Sequence, residues 1–470
     1  MAISSPGVGS GLDVNSIVTQ LVTLERKPIA NIQSQISTLQ SSISAWAQIK
    51  SGLAKLQDAA GKLASSGTWS ALSASSSAAD VVTVSAGAGA VAGQYQVEVQ
   101  ALAQAQSTRT QAFTAGSAVG EGGTLEIRLG QWSGGTFTPG GGASVSVAIN
   151  ATDTLSTVAQ KINAANAGVR AAVVRSGGEE RLVVRSADTG AANGFDIRAF
   201  DGSNNLITDT GTGLGRLAFF DDNSGGPVGQ TLVTGAQDAQ ATVEGIAVTS
   251  ASNRFEGVLS GVTFTALRTT TQPVTLTVAD DTESMRKAVE EFRAAFNELS
   301  TTIKNLTRSD PTGAGNGPLR GDSAALGILT MLRRYAGDMV PGNTPATLNE
   351  AGLRFNREGA LDVDSARLDA ALANPSALAT LFGNGGLAER IRNFARDTLA
   401  AGGSATSRVN SLQETVKRKN QEIDRINERV QRTEAALRAQ YTALDTKMAG
   451  YSSLSNYISQ QLAAWSSPKR

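Results

Sequence analysis

From residue 29 to 49, apolar side chains recur in steps of three and four: Ile29, Ile32, Ile36, Leu39, Ile43, Trp46 and Ile49. That spacing marks one face of a helix. The stripe runs on through Leu53, Leu56, Ala60 and Leu63, and Gly67 reads as its stop. Upstream, Asp13 is a fair N-cap for a helix with Val14, Ile17, Leu21 and Leu24 on one side. Pro28 is expected to break or kink that helix. Residues 1–13 are rich in Gly and Ser and are expected to be mobile.

The far end carries a longer pattern. Val409, Val416, Ile423, Val430, Leu437, Leu444, Tyr451, Ile458 and Trp465 recur every seven residues without a miss. Leu412, Ile426 and Leu454 fill part of the second seam position, and Leu462 joins the same apolar surface. A sustained seven-residue repeat predicts a left-handed coiled coil or a long bundle helix. Val409 to Trp465 would span roughly 85 Å at about 1.5 Å per residue, so the helix needs partners along most of its length. The stripe at 29–63 covers about 50 Å of it. The remainder is expected to meet other subunits.

Between the ends the period changes to two. "QYQVEVQ" (94–100), "TLEIRL" (124–129), "SVSVAI" (144–149), "GVTFTAL" (261–267) and "PVTLTVA" (273–279) alternate as strands do. Residues 153–186 read as a helix, capped by Asp153 and facing Leu155, Val158 and Ile162 inward, then a hairpin around Gly177–Gly178. Gly168 is placed just past that helix. After 281 the helical period returns with Met285, Val289, Phe292, Phe296, Leu299, Ile303 and Leu306. "DSAALGILTMLRRYAG" and "AERIRNFARDTLA" add helices, and 351–372 reads as a short hairpin leading into a helix near Asp364.

Composition narrows the chemistry. Charged residues make up 17% of the 470, with 41 basic and 41 acidic. This balance argues against nucleic acid or an anionic membrane as a partner. There is neither Cys nor His. Disulfides, Cys/His metal sites and His-based triads are excluded, and no Lys or carboxylate spacing singles out a base for a nucleophile. The Gly-rich runs at 120–123 and 139–144 lack the Lys-Ser/Thr of a phosphate-binding loop. No enzyme activity and no cofactor or metal is expected. "MAISSPGVGSGLDV" has no basic or apolar region of a secretory signal, and no run of about 18 apolar residues predicts a membrane span.

Charge is also missing in particular places. Residues 29–49 contain no Asp, Glu, Lys or Arg, and after Arg438 only Asp445 and Lys447 appear before Lys469. The preceding part, 408–438, carries Glu–Arg pairs at 414/418, 428/432 and 434/438. A helix side that meets other chains rather than water avoids unpaired charge and uses Ser, Gln and Ala.

Several segments resemble flagellar filament cap proteins, the hook-associated protein 2 family. They are "GSGLDVNSIVTQLVTLERKPI" (9–29), "GQYQVEVQALAQAQ" (93–106), "ATVEGIAVTSASNRFEGVLSGVTFTAL" with "VTLTVADD" (241–281), "AGLRFNREGALDVDSARLDAAL" (351–372) and the C-terminal heptads. "LSTVAQKINAANAGVRAAVV" (155–174) resembles the IN motif of flagellins, hook-associated proteins and cap proteins. The resemblance implies a multidomain α+β chain. Residues 1–68 pair with 405–470 as a coiled-coil leg, and 281–404 form a helical bundle domain. Two β-rich head domains are inserted, one from 75–110 with 228–280 and one from 111–227 holding the IN motif.

It also implies a structural protein at the filament tip, exported through the flagellar type III apparatus. There, a homo-oligomeric plate of five or six copies would promote folding and insertion of flagellin. Implied partners are copies of itself, flagellin, hook-associated proteins and an export chaperone, with a host mucin or glycan as a further one. The coiled-coil and subunit-interface residues are then Ile29, Ile32, Ile36, Leu39, Ile43, Trp46, Leu53 and Leu56 on the first helix. On the last they are Val416, Ile423, Val430, Leu437, Leu444, Tyr451, Leu454, Ile458, Leu462 and Trp465. A hook–filament junction protein and a secreted oligomeric adhesin binding host glycan are the alternatives; the segment 241–281 and "ERKPI" favour the cap.

Overall fold

The computed structural model describes residues 13–313 and 315–466. The mobile segment expected before residue 13, and the side chain of Trp465, lie outside what it describes. The chain divides into two compact units, one of Met1–Ser70 with Thr282–Arg470 and one of Ala71–Asp281. In chain order the helices are α1 (Val14–Ala64), α2 (Ser66–Trp69), α3 (Leu155–Ala165), α4 (Thr282–Thr307), α5 (Ser323–Gly337), α6 (Ser365–Leu372), α7 (Pro375–Phe382), α8 (Leu387–Leu399) and α9 (Ser404–Ser466). No helix among the described residues is long and apolar enough to cross a membrane.

In the helical unit, Asp13 caps α1 by accepting from the Ser16 N–H at 3.0 Å. The helix then runs 51 residues with Pro28 inside it, so the expected break is absent. Proline forfeits the bond to the Leu24 carbonyl. Leu24 and Pro28 are both exposed, so water can reach that carbonyl, while Val22 and Ile32 are buried on either side. The buried face of the first turns also differs from the expected one. It is Val14, Val18 and Val22, spaced by four, whereas Leu21 and Leu24 face solvent.

The core of this unit joins Ala45, Trp46, Ile49, Leu53, Leu56, Ala60 and Leu63 of α1 to the apolar stripe of α4 and to faces of α5, α7 and α8. Met285, Val289, Phe292, Phe296, Leu299 and Ile303 are buried as their spacing predicts, and Leu306 is partly buried. Short α2 closes the end of α1. Trp69 donates to the Leu63 carbonyl at 2.7 Å and stacks on Phe382 at 5.4 Å. The hairpin of 351–372 pairs Leu353–Phe355 with Leu361–Val363 and leads into α6, whose first turn bonds to Asp364. Helix α7, opened by Pro375, was not marked by the apolar period.

The head unit contains two hydrophobic cores. One lies between a five-stranded antiparallel sheet and a three-stranded one. The first has the order Leu72–Ser76, Val274–Asp280, Gly93–Ala101, Ala239–Val243, Ile246–Ser250, and the second Arg254–Leu259, Val262–Ala266, Val82–Ala86. Val97, Val99, Phe255, Phe264 and Leu276 fill this core, and Phe255 stacks on Phe264 at 4.6 Å.

The other core lies under α3, where Leu155, Val158 and Ile162 are fully buried. Two things there differ from expectation. The N-cap of α3 is Thr154; Asp153 instead accepts from the Asn150 N–H and pairs with Lys161. The left-handed residue that ends the helix is Asn166, and Gly168 follows at φ 72°. The hairpin Val169–Ser176 with Glu179–Ser186 turns at Gly177–Gly178 as predicted. Its second strand also pairs with Ser107–Arg109, which in turn pairs with Thr231–Thr234. These two strands therefore pair within the inserted sheet, whereas the expected division had put 75–110 and 228–280 in the first head domain. The two connections cross at the Gln104–Gln237 bridge.

Candidate subunit interface on the terminal helices

Helix α9 is 63 residues long and runs antiparallel to α1. Arg438 donates to Asn15 at 3.0 Å, and Arg429 pairs with Glu25 at 3.8 Å, which fixes that direction. Between these points the seam is Val14, Val18, Val22 and Ile32 against Ile426 and Val430, with Ile29, Ile36, Ile423, Leu437 and Tyr441 packed beside it. Nearer the bundle, Val409 and Leu412 join the helical core, and Val416 is half-buried.

The two apolar stripes therefore do not meet along their full length. Ile29, Ile32 and Ile36 face α9. From Leu39 and Ile43 onward the same face of α1 packs into the bundle. Trp46, Leu53 and Leu56 are fully buried there, so they hold the bundle together and are not surface residues of a coiled coil. The reason is that α4 and α8 pack along the second half of α1 and displace α9 from it.

Beyond Tyr441 the heptads of α9 continue without a partner among the described residues. Leu444 is 43% exposed, Tyr451 67%, Leu454 54%, Ile458 49% and Leu462 60%. Met448 and Tyr457 are exposed with them. This is an apolar helix end of more than four turns with few charges.

Where seam passes into bundle, one carboxylate gathers three helices. Asp322 caps α5, its Oδ1 accepting from the Ala324 and Ala325 N–H groups at 3.1 and 3.3 Å. Its Oδ2 accepts from the Trp46 indole N–H of α1 at 3.3 Å and from the Arg408 Nε of α9 at 3.0 Å. Asp322 is buried, and Trp46 is completely so. A carboxylate with four donors replaces its lost hydration. Asp322 as a helix cap was readable before "SAALGILTML"; its meeting with residues 46 and 408 was not, because nothing local links them.

The charge-free flank of α1 is outward-facing, as at Gln33, Ser34, Gln35, Ser37, Gln40 and Ser41. Its hydroxyls are partly occupied already. Thr38, Ser41 and Ser42 donate to the carbonyls four residues back at 3.0–3.1 Å, a local bond that Ser and Thr commonly make in helices. Ser42 also donates to the Pro318 carbonyl at 3.0 Å. Of the three expected Glu–Arg pairs on α9, Glu434–Arg438 forms at 3.0 Å. Arg418 turns to Thr415 and Arg432 to the Glu428 carbonyl instead.

Profiles of known families match this chain in three places. Residues 10–106 match the flagellar hook-associated protein 2 N-terminus, 236–453 its C-terminus, and 134–188 the flagellin hook IN motif. Flagellar hook-associated protein 2 of Escherichia coli K12 is 30% identical over 98% of both chains. The chain belongs to the flagellar hook-associated protein 2 family. The A-type member from Pseudomonas aeruginosa is 28% identical over 97% of both chains. Among solved structures, the flagellar cap protein from Escherichia coli, comprising its D1, D2 and D3 domains, superposes with a TM-score of 0.61 at 28% identity. It covers 78% of this chain and 99% of that one. The junction-protein and adhesin alternatives find no support in these relatives.

Proposed function

We propose that this chain caps the distal end of the bacterial flagellar filament outside the cell, as a homo-oligomer that promotes folding and insertion of exported flagellin. In this reading the α1–α9 pair is a leg. The exposed end of α9, from Leu444 to Leu462, meets neighbouring cap or filament subunits, and the head unit contributes the plate. Flagellin, hook-associated proteins and an export chaperone are its partners, and a ring of five or six copies fits. The role is structural and no residue is given a catalytic part.

The observation that carries the leg assignment is the heptad that continues past its last partner among the described residues. Five exposed apolar seam residues on one helix are costly in water, at roughly 1.5–3 kcal/mol per fully covered side chain, and such a stripe marks a contact surface. Ending the chain after Ala449 tests this. We expect a folded protein with an unchanged thermal midpoint that cannot support filament growth, so that flagellin leaves the cell as monomer. Filaments of normal length by electron microscopy would overturn the assignment.

A further inference from the structure

The outer face of the inserted sheet has a charge arrangement that stability does not explain. Arg170 and Arg185 stand directly opposite each other on paired antiparallel strands. On the next strand Arg109 lies opposite Val183, two residues along from Arg185 on the same face. All three are exposed, and none of their guanidinium groups has a hydrogen-bond or ion-pair partner among the described residues. Like charges directly opposite each other destabilise a sheet. Neighbouring strands lie about 4.8 Å apart, so three positive charges share a patch little wider than one Debye length at ordinary salt. Glu179, the acidic residue on this face, is engaged with Arg181. Exposed Val174, opposite Arg181 on the same face, borders the arginines with apolar surface.

The same inserted domain carries the complementary charge elsewhere. Asp201 follows the strand Gly194–Phe200, and Glu121 precedes the paired strand Gly123–Ser133, so both lie at one end of the other sheet. Glu121 accepts from the Leu214 N–H at 3.0 Å, and the Asp209 backbone lies against Gly215, which brings Asp209 to the same loop cluster. Backbone N–H groups of Asn205 and of Gly211 hold the carboxyls of Asp201 and Asp209 below the usual range, so both remain ionised at neutral and mildly acid pH. Arg216 is turned away onto Phe113 and the Ala112 carbonyl.

We infer that the face of Arg109, Arg170 and Arg185 docks on the Glu121, Asp201 and Asp209 loop end of a second copy of this chain. The contact joins two different surfaces, so it is head-to-tail, and repetition closes a ring when the rotation allows. The inference rests on the homo-oligomer proposed above and names the surfaces that join it. Charge at such a contact governs approach and register and is weakened by salt.

The test is a double-mutant cycle on the full chain, read by sedimentation velocity over a range of protein concentration at low salt. R170Q/R185Q and D201N/D209N remove charge while keeping shape, and Asn still closes the turns that Asp201 and Asp209 make. Each pair is expected to raise the concentration for assembly about tenfold. The quadruple variant is expected to go no more than about twofold beyond either, because both pairs remove the same contact. Wild-type assembly by either double variant, or effects that multiply to about a hundredfold in the quadruple, would overturn the inference. Circular dichroism checks folding. R109Q against E121Q gives an equivalent cycle if the Asp201 or Asp209 turn does not tolerate Asn. Failure of the cap assignment itself would show differently, as normal filaments in cells lacking the chain.

Discussion

The two halves of α1 present the same apolar rhythm and meet different surroundings. The outer half, Val14–Ile36, has one partner among the described residues, α9, and its seam is one residue deep. The inner half, Ala45–Leu63, is enclosed by α4, α5, α7 and α8, and most of its apolar side chains are completely buried. Ion pairs follow the same division. Lys55–Glu298 and Lys62–Glu291 close at 2.6 and 2.7 Å beside the inner half, whereas Glu25–Arg429 beside the outer half stands at 3.8 Å. A periodic stripe states which face of a helix is covered. It does not state how many neighbours cover it, and that number sets how much of the protein depends on the stripe.

The largest effect should come from the inner half. Trp46→Ala removes a fully buried indole from the bundle core and leaves a cavity, at a cost of about 3–5 kcal/mol. It also takes one donor from Asp322. Thermal unfolding of the full chain should show the helical unit melting earlier while the head unit keeps its own transition. A single unshifted transition would mean that Trp46 is not part of that core.

Asp322→Ala comes next, at about 2–4 kcal/mol. It deletes an N-cap and strands the buried Trp46 N–H. It frees Arg408 as well, so hydrogen exchange along α9 near 404–412 should rise together with exchange in the first turn of α5. An Asp322→Asn variant keeps the cap geometry but offers an amide to two donors. It should loosen the Arg408 end while largely sparing α5. Unchanged exchange at the Arg408 end would refute the three-helix role.

Much of this arrangement was legible in the sequence. The faces of α4 and α3, the five strands picked out by alternation, the hairpin at Gly177–Gly178 and the apolar seam along the end of α9 all follow from local periods of two, 3.6 and seven. What was hidden depends on distant partners. Pro28 stays inside α1 because packed residues on both sides hold the helix across one lost bond. Strands Ser107–Arg109 and Thr231–Thr234 are three and four residues long, too short for alternation to assign them to a sheet. The site residues divided for the same reason: the spacing that puts Ile32 and Trp46 on one face cannot tell α9 from the bundle.

A smaller and local effect is expected from the outer half. Ile32→Ala thins a seam held by a single partner, at about 1–2 kcal/mol, below the usual core value because the site is open to relaxation. Unfolding of the bundle should be almost unchanged. Amide exchange should quicken roughly tenfold across Val14–Ile36 and across 423–441, and not across Ala45–Leu63, as expected for local opening. If all of α1 exchanged faster together, the two halves would be one cooperative segment and the contrast between them would fail.

The smallest effect belongs to the exposed pair on the inner half. The Lys62 ammonium, bonded to Glu291, holds that carboxyl below its ordinary value. Both side chains are more than a third exposed, so solvent screens the pair and its share of stability is a few tenths of a kcal/mol. A lowered carboxyl pKa stabilises the fold above the unfolded value, near 4.3, and that share is lost as pH falls through the folded one. Wild type should therefore exceed Glu291→Gln slightly in thermal midpoint at pH 5 to 7, and the two should converge toward pH 3. Lys62→Met should show the same convergence, since it removes the same bond from the other side. Parallel curves for wild type and Glu291→Gln across that range would show that the short pair beside the inner half contributes no more than the long Glu25–Arg429 pair beside the outer.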